Sequence, residues 1–404
     1  MLKKIFKTFG FYFGLLLLTI ILFDVAAFFL VPDKLVKQFT HYRCDDCVKV
    51  TGVKGNGRYP YDYFENHDER GFDLAPNRRN MLHTVDGKAY QIWSNSLGCY
   101  DKEQSPTSPY VYVAGDSQTW GYTPYRLKFA TRLEEKTSVP VLKCGVTHTG
   151  QKHQLSKLKA IASKLKTTPS MVFVGFYPND IQNDLAYPHT GVISGWLKDY
   201  AGLLDDGSGT FSRDPRDFKK LKAQYAPRLP SRESQLAKHD YIKLKPIGPH
   251  YRYMLSYNMY KAAKRAWKRK KQGKRVKFSV YTAPFLEAEG RLNYQGNPNT
   301  LEHKQALQAF KSYVNSINSG LAIILIPPKT NWDDKNYFTE IKEFLNQNQI
   351  AFIDMASAFA SQKEMSLKDI YWKHDGHLRD GGNQLVAQEM ENWLRKNKPA
   401  LLTK

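Results

Sequence analysis

The chain begins with a block of hydrophobic positions. From Phe9 to Val31 the only side chain charged at neutral pH is Asp24. As a helix this stretch reaches about 34 Å at about 1.5 Å per residue, enough to cross a bilayer core. Lys3, Lys4 and Lys7 precede it, so the positive-inside rule predicts a cytoplasmic N-terminus and an outward-facing remainder after residue 32. A cleaved signal peptide competes, with Val25-Ala26-Ala27 as a weak cleavage site. The apolar run continues through Phe28-Phe29-Leu30-Val31, which favours an uncleaved anchor. A buried core helix fits poorly with an all-round apolar segment behind lysines. Asp24 is predicted near the outer interface or facing a partner helix.

Residues 33–109 are rich in turn formers and poor in regular periods, as in Gly55-Asn56-Gly57 and Ser94-Asn95-Ser96-Leu97-Gly98. They read as a juxtamembrane stalk and outer layer. Then the pattern sharpens. Tyr110–Ala114 predicts a buried strand, Val139–Leu142 a second and Met171–Phe176 a third. Between the last two, Leu155, Leu158, Ile161, Ala162 and Leu165 recur at helical spacing over 151–166. The pattern breaks near 190 and returns at 301. There 301–318 predicts a helix, Leu321–Ile326 a strand, Tyr337–Asn346 a helix, Ala351–Asp354 a strand and Gly382–Leu394 a last helix. This alternation implies an α/β fold with a parallel sheet covered on both faces. The chain divides into an anchor (1–32), the stalk and outer layer (33–109), a first core part (110–190), an insertion (191–300) and a second core part (301–404).

Composition refines the picture. Over 404 residues, 42% hydrophobic and 13% aromatic content exclude wholesale disorder. The formal charge is +22, and 213–278 alone holds 21 Lys+Arg against 4 Asp+Glu. Such a segment suits an anionic neighbour: an acidic glycan, with aromatic rings stacking on sugar faces, or anionic lipid of the inner membrane. Within it, 251–272 fits a helix with an apolar stripe and a cationic face. The outward placement argues against nucleic acid. Four cysteines outside the cytoplasm permit two disulfides. Cys44-Asp45-Asp46-Cys47 has redox or half-zinc spacing, but a structural disulfide is the better reading. Cys99 and Cys144 pair only if their strands are neighbours.

Three strand ends carry polar residues suited to acyl transfer. Ser117 follows a buried strand and precedes Gly121, where helix N–H groups favour developing negative charge. A serine nucleophile needs a base, and His377 is the candidate. Asp375 is placed to take the other imidazole N–H. Asn179 offers an amide, and Gly145 a backbone N–H, to an oxyanion. Each is weak alone: Gly-Asp-Ser is usually a turn, and a His beside an Asp is usually a surface pair. Their order and strand-end placement carry the weight. Asp116, Asp180, His374, Asp375 and His377 also compose a candidate metal-ligand set; supporting and triad roles explain them better, so no metal or cofactor is expected.

These segments resemble the SGNH/GDSL hydrolase superfamily. Its first block is similar to Val113 through Gly121, its glycine block to Cys144-Gly145-Val146-Thr147, its asparagine block to Gly175 through Asp180, and its last block to Asp375-Gly376-His377-Leu378. Arg70 through Asn77 and Asn95-Ser96-Leu97-Gly98 look like a membrane-anchored bacterial branch. The resemblance covers roughly 60–190 and 300–395 and leaves the basic insertion unexplained. It implies a three-layer α/β/α, flavodoxin-like sheet. It also implies Ser117 as nucleophile, His377 as base, Asp375 as orienting acid, and an oxyanion hole from Ser117, Gly145 and Asn179. The substrate would be an acyl ester, the reaction hydrolysis or O-acyl transfer, and an envelope glycan the favoured carrier. Two departures stand out. Asp375 precedes His377 by two positions where the family usually has three, and His374 competes as base. His148 reads as a surface histidine or a substrate contact. A non-catalytic scaffold retaining the fold is the reading from another class.

Overall fold

The computed structural model of the protein describes residues 2–30, most of 62–199, 290–373 and 375–402, together with 48–50 and short strand and helix segments within 203–288. Helix α1 (Leu2–Leu30) contains the apolar block, and Thr8–Ala27 is long and apolar enough to cross a membrane. Phe9, Leu16 and Leu22 on it are exposed, whereas Asp24 is buried. The Ser256 N–H donates to Asp24 Oδ1 at 2.9 Å, and the Ser256 hydroxyl donates to Oδ2. The acidic position thus faces a second segment, helical at 255–257.

Two hairpins follow: β1 (Phe64–His67) with β2 (Gly71–Leu74), and β3 (Met81–Val85) with β4 (Lys88–Ile92). Strands of four or five residues are too short for alternation to register in the sequence. Their aromatic residues Tyr63, Phe72 and Tyr90 pack with Tyr100, Trp120 and Tyr122 into one buried cluster.

The core then unrolls as β5 (Val111–Gly115), α2 (Ser117–Trp120), α3 (Phe129–Thr137), β6 (Val141–Lys143), α4 (Gln151–Leu165), β7 (Met171–Phe176) and α5 (Asn179–Ala186). After the insertion come α6 (Leu301–Ser316), β8 (Gly320–Leu325), α7 (Thr339–Gln347), β9 (Ala351–Asp354), α8 (Met355–Ser361), α9 (Leu367–Ile370) and α10 (Asp380–Asn397). Strand limits match the sequence pattern within two residues. Helix α3 does not appear in that pattern. Its buried Phe129, Ala130 and Leu133 make too brief a stripe, yet a crossover must join parallel β5 and β6.

The five strands are all parallel, in the order β6-β5-β7-β8-β9. Alternate residues face opposite layers. Tyr112, Ala114, Val172, Val174 and Ile323 meet α4, α6 and α7. Val111, Val113, Phe173, Ala322 and Ile324 meet α3 and α10. Each fully buried aliphatic side chain contributes about 1.5–3 kcal/mol. Because β6 and β7 flank β5, the chain leaves β5 in both directions and opens a crevice at the carboxyl ends of β5 and β7.

Cys99 and Cys144 form a disulfide, with Cα atoms 4.7 Å apart. It ties the loop after β4 to the residue before Gly145. Cys44, Cys47 and His374 lie outside the described residues, as does most of the basic stretch 213–278.

Candidate active site

Ser117 opens α2 directly after β5. Asp116 caps that helix, its Oδ1 accepting from the Gln118 N–H at 2.8 Å. The turn is tight. Gly115 has φ +148°, and a Cβ on it would lie 2.0 Å from Thr119 Oγ1. A side chain at Gly145 would lie 2.5 Å from Trp120 N. The glycine loop after β6 therefore presses its backbone against the serine turn, where only glycine fits. The Val146 N–H donates to Gly115 O at 2.9 Å and holds it there.

His377 Nε2 lies 2.8 Å from Ser117 Oγ. His377 Nδ1 hydrogen-bonds Asp375 Oδ1, which also accepts from the His377 N–H at 3.0 Å. With Nδ1–H donated to the carboxylate, Nε2 presents its lone pair to the serine. Asp375 and Ser117 are both about 9% exposed. The two-residue spacing places one carboxylate oxygen on both the backbone and the ring of His377, which orients the imidazole from below. Ser117 Oγ also stands 3.2 Å from Asp116 Oδ2. A hydroxyl has one hydrogen, and the shorter contact is the imidazole.

Asn179 starts α5 after β7, and its amide hydrogen-bonds the Asp116 carboxylate. One of its two N–H groups is thus committed to the Asp116 carboxylate, at the turn that carries Ser117. Burial pushes the Asp116 carboxyl above the usual range, opposed by the Gln118 N–H, His377, Ser117 and Asn179. Burial pushes Asp180 well above it, and the neighbouring Asp116 pushes the same way, opposed by Gln151.

Two residues at the site went unrecognised in the sequence. Gln118 donates to Gly376 O at 3.0 Å and accepts from the Leu378 N–H at 3.0 Å. It staples the loop carrying His377 to the turn carrying Ser117 across some 260 positions. Its place beside Ser117 was the only available hint. Tyr122 stacks flat on the His377 imidazole, with centroids 3.5 Å apart and planes 1° off parallel. Trp372 Nε1 donates to Tyr122 O at 2.8 Å. Nothing local in the sequence marks this pair. His148 is half-buried and lines a cleft beside the glycine loop.

No protein-family model matches the chain, and no curated protein matches it. Solved structures similar to it are lipolytic proteins and esterases. One is a lipolytic protein of the G-D-S-L family from Desulfitobacterium hafniense DCB-2, with 11% identity over 70% of this chain and 99% of that chain and a TM-score of 0.33. Another is a catalytic mutant of an acetylxylan esterase from Geobacillus stearothermophilus, with 11% identity over 74% and 98% and a TM-score of 0.34. A third is the psychrotrophic esterase EstA from a Pseudoalteromonas species, with 9% identity over 72% and 98% and a TM-score of 0.33. Likeness of this extent adds no weight to the residue geometry above.

Proposed function

We propose that the protein is a serine-dependent acyl-ester hydrolase of the SGNH type. The observation that carries this reading is the continuous hydrogen-bonded line from Asp375 through His377 to Ser117 at the carboxyl edge of the sheet. His377 Nε2 takes the Ser117 proton as Oγ attacks the ester carbonyl. The Ser117 and Gly145 N–H groups and the Asn179 amide meet the oxyanion. The tetrahedral intermediate collapses, the alcohol leaves with the proton from His377, and an acyl-serine remains. Water then attacks with His377 again as base, releasing the acid and restoring Ser117. A sugar hydroxyl in place of water makes the same site an O-acyltransferase.

Location and substrate follow from chain features. Lys3, Lys4 and Lys7 before α1 support a cytoplasmic N-terminus and an outward catalytic region. The Cys99–Cys144 disulfide suits that oxidising side. An excess of 22 positive charges supports an acidic envelope glycan as carrier of the ester. In this reading 1–32 is the anchor, 191–300 the basic insertion, and the flanking parts form the catalytic unit.

The test is covalent labelling with a fluorophosphonate probe. Wild-type protein is expected to react at Ser117, and Ser117→Ala to lose the label. Folded wild-type protein that takes no label would instead be a scaffold.

A further inference from the structure

The apolar surface of α1 has one polar break. Leu22, Phe23 and Val25 are exposed, whereas Asp24 is only 6% exposed and Ala27, one turn on along the same face, is buried. Ser256 covers the break. Its N–H donates to Asp24 Oδ1 at 2.9 Å and its hydroxyl to Oδ2 at 2.5 Å. Both carboxyl oxygens thus accept from one residue, 232 positions away in the chain. Leu255, the neighbour of Ser256, is buried as well. The chain is helical at 255–257, 259–261 and 263–264, so a second helical stretch meets α1 at Asp24. Beyond the contact that stretch is uncovered. Met259 and Tyr260 are 49% and 58% exposed, and Lys261 and Lys264 are exposed with them.

The contact lies below the end of the span. Asp24 falls within Thr8–Ala27, the part of α1 apolar enough to cross a membrane. It precedes Leu30, the last residue of α1, by six positions, about 9 Å at about 1.5 Å per residue. With α1 crossing the bilayer, that depth is hydrocarbon, where an unpaired carboxyl and an unpaired N–H both cost free energy. Pairing them removes both costs. Loss of α1 as a cleaved leader would take the acceptor from Ser256. From Ser256 to Lys264 a helix spans about 12 Å, enough to return to the headgroup level. There a lysine stem stays in apolar surroundings with its ammonium in water. Lys261 Nζ lies 5.2 Å from the centre of the Tyr257 ring, and Lys264 Nζ 5.6 Å from that of Tyr260. Tyrosine beside lysine is the chemistry of a membrane interface. Each ammonium has three donors, more than a ring face accepts. Arg265, Lys268, Arg269, Lys270 and Lys271 follow in the sequence, and such a run of cations beside a span attracts anionic lipid.

We propose that the helical stretch within 255–264 is a membrane-contact element. It docks on Asp24 within the outer half of the bilayer, sets Met259 and Tyr260 among acyl chains, and brings Lys261 and Lys264 to the phosphates of anionic lipid. The proposal rests on α1 as a retained spanning helix with its C-terminal end outward, and it is independent of the esterase reading. Lipid suits the exposed side chains better than a second protein helix. Helices that pair inside a membrane approach through small residues, whereas methionine, tyrosine and lysine are exposed here. The chain then meets the membrane at two places, α1 and the basic insertion, which limits how the catalytic region tumbles above the surface.

Nitroxide labels on the full chain in lipid nanodiscs test it. Their collisions are read with dissolved oxygen, which concentrates among acyl chains, and with a neutral nickel chelate, which stays in water. The parent chain treated alike sets the background from native cysteines. A label at Met259→Cys should show the oxygen excess of a lipid-facing site, as should one at Leu22→Cys on the exposed face of α1. Asp24→Leu makes the span more apolar and so preserves insertion. It should abolish the oxygen excess at 259 and leave that at 22. The label at 259 should sit deeper in phosphatidylglycerol discs than in phosphatidylcholine discs, and Lys261→Gln with Lys264→Gln should abolish that difference. A chelate excess at 259 puts the stretch in water and overturns the proposal. Few collisions with either agent would bury it against protein and overturn the lipid partner. An unchanged oxygen excess in Asp24→Leu overturns the docking, and equal depth in the two lipids overturns the anionic headgroup. A chelate excess at 22 overturns the spanning helix and this proposal together, whereas failure at 259 alone leaves the span standing.

Discussion

The molecule has two packed regions of different chemistry meeting at Ser117. Beneath it lies the sheet core, where Val111, Val113, Val172, Val174, Ile323 and Ile324 pack against helices on both faces. Beside it lies the aromatic layer built from 62–101, where His83 meets Trp120 and Tyr122 edge-on at 5.0 and 4.7 Å and Trp120 Nε1 donates to Tyr63 Oη at 3.1 Å. Aliphatic packing is non-directional, so the backbone ladder sets where strands end and hence where Ser117 and Asn179 emerge. Aromatic packing has preferred angles and polar handles. It reaches His377 directly, through the flat stack of Tyr122 on its imidazole. The sheet therefore governs whether the domain stands, and the aromatic layer governs how the imidazole is held.

The sharpest break in that division falls on the hydrogen-bonded line itself. His377→Ala should lower kcat about 10⁴-fold or more with a nearly unchanged melting temperature. Steady-state hydrolysis of a small ester checks both. An unchanged rate would dissolve the catalytic side of the contrast. Next in size, Ile323→Ala deletes part of a fully buried side chain in β8 and should cost about 2–5 kcal/mol of stability. Its kcat well below the melting transition should match wild type. A large fall in kcat there would mean that the sheet also tunes the base.

Gln118→Ala removes its two hydrogen bonds to the loop that carries His377. A loss of about 10- to 100-fold in kcat is expected from misplacement of the base, with folding intact by circular dichroism. Tyr122→Leu keeps apolar volume but removes the ring. A positive imidazolium over an aromatic face is favoured by about 0.5–2 kcal/mol. The variant should therefore lose about 2- to 30-fold in kcat for a small ester. A kcat equal to wild type would reduce Tyr122 to filler.

The smallest effect concerns Asp180, in α5 beneath the site. Its carboxyl is pushed well above the usual range, so the fold retains a proton that the unfolded chain releases near pH 4. Stability from this group is fully present below that pH and declines as pH rises toward the raised value. Asp180→Asn keeps the neutral shape and should flatten the decline. Melting temperatures of the two proteins should diverge as pH rises above about 4, with the variant the higher. Parallel curves would mean an ordinary, ionised Asp180.

The sequence alone determined the features that short-range periodicity encodes. The apolar N-terminal helix, all five core strands within two residues, the helices after β6 and β8, and the candidate positions Ser117, Asn179, Asp375 and His377 were legible, because each is written in neighbouring residues. Tertiary structure decided the rest. It chose the strand order that opens a crevice beside β5, paired Cys99 with Cys144, turned Gln118 onto the loop of His377 and Tyr122 onto its ring some 260 positions away, and left Arg70 with spare donors in a buried turn. Such contacts join residues whose own surroundings in the chain do not differ from any other glutamine, tyrosine or arginine. Only the closing of the sheet and its aromatic cover brings them within hydrogen-bond or stacking distance, and no local pattern records that event.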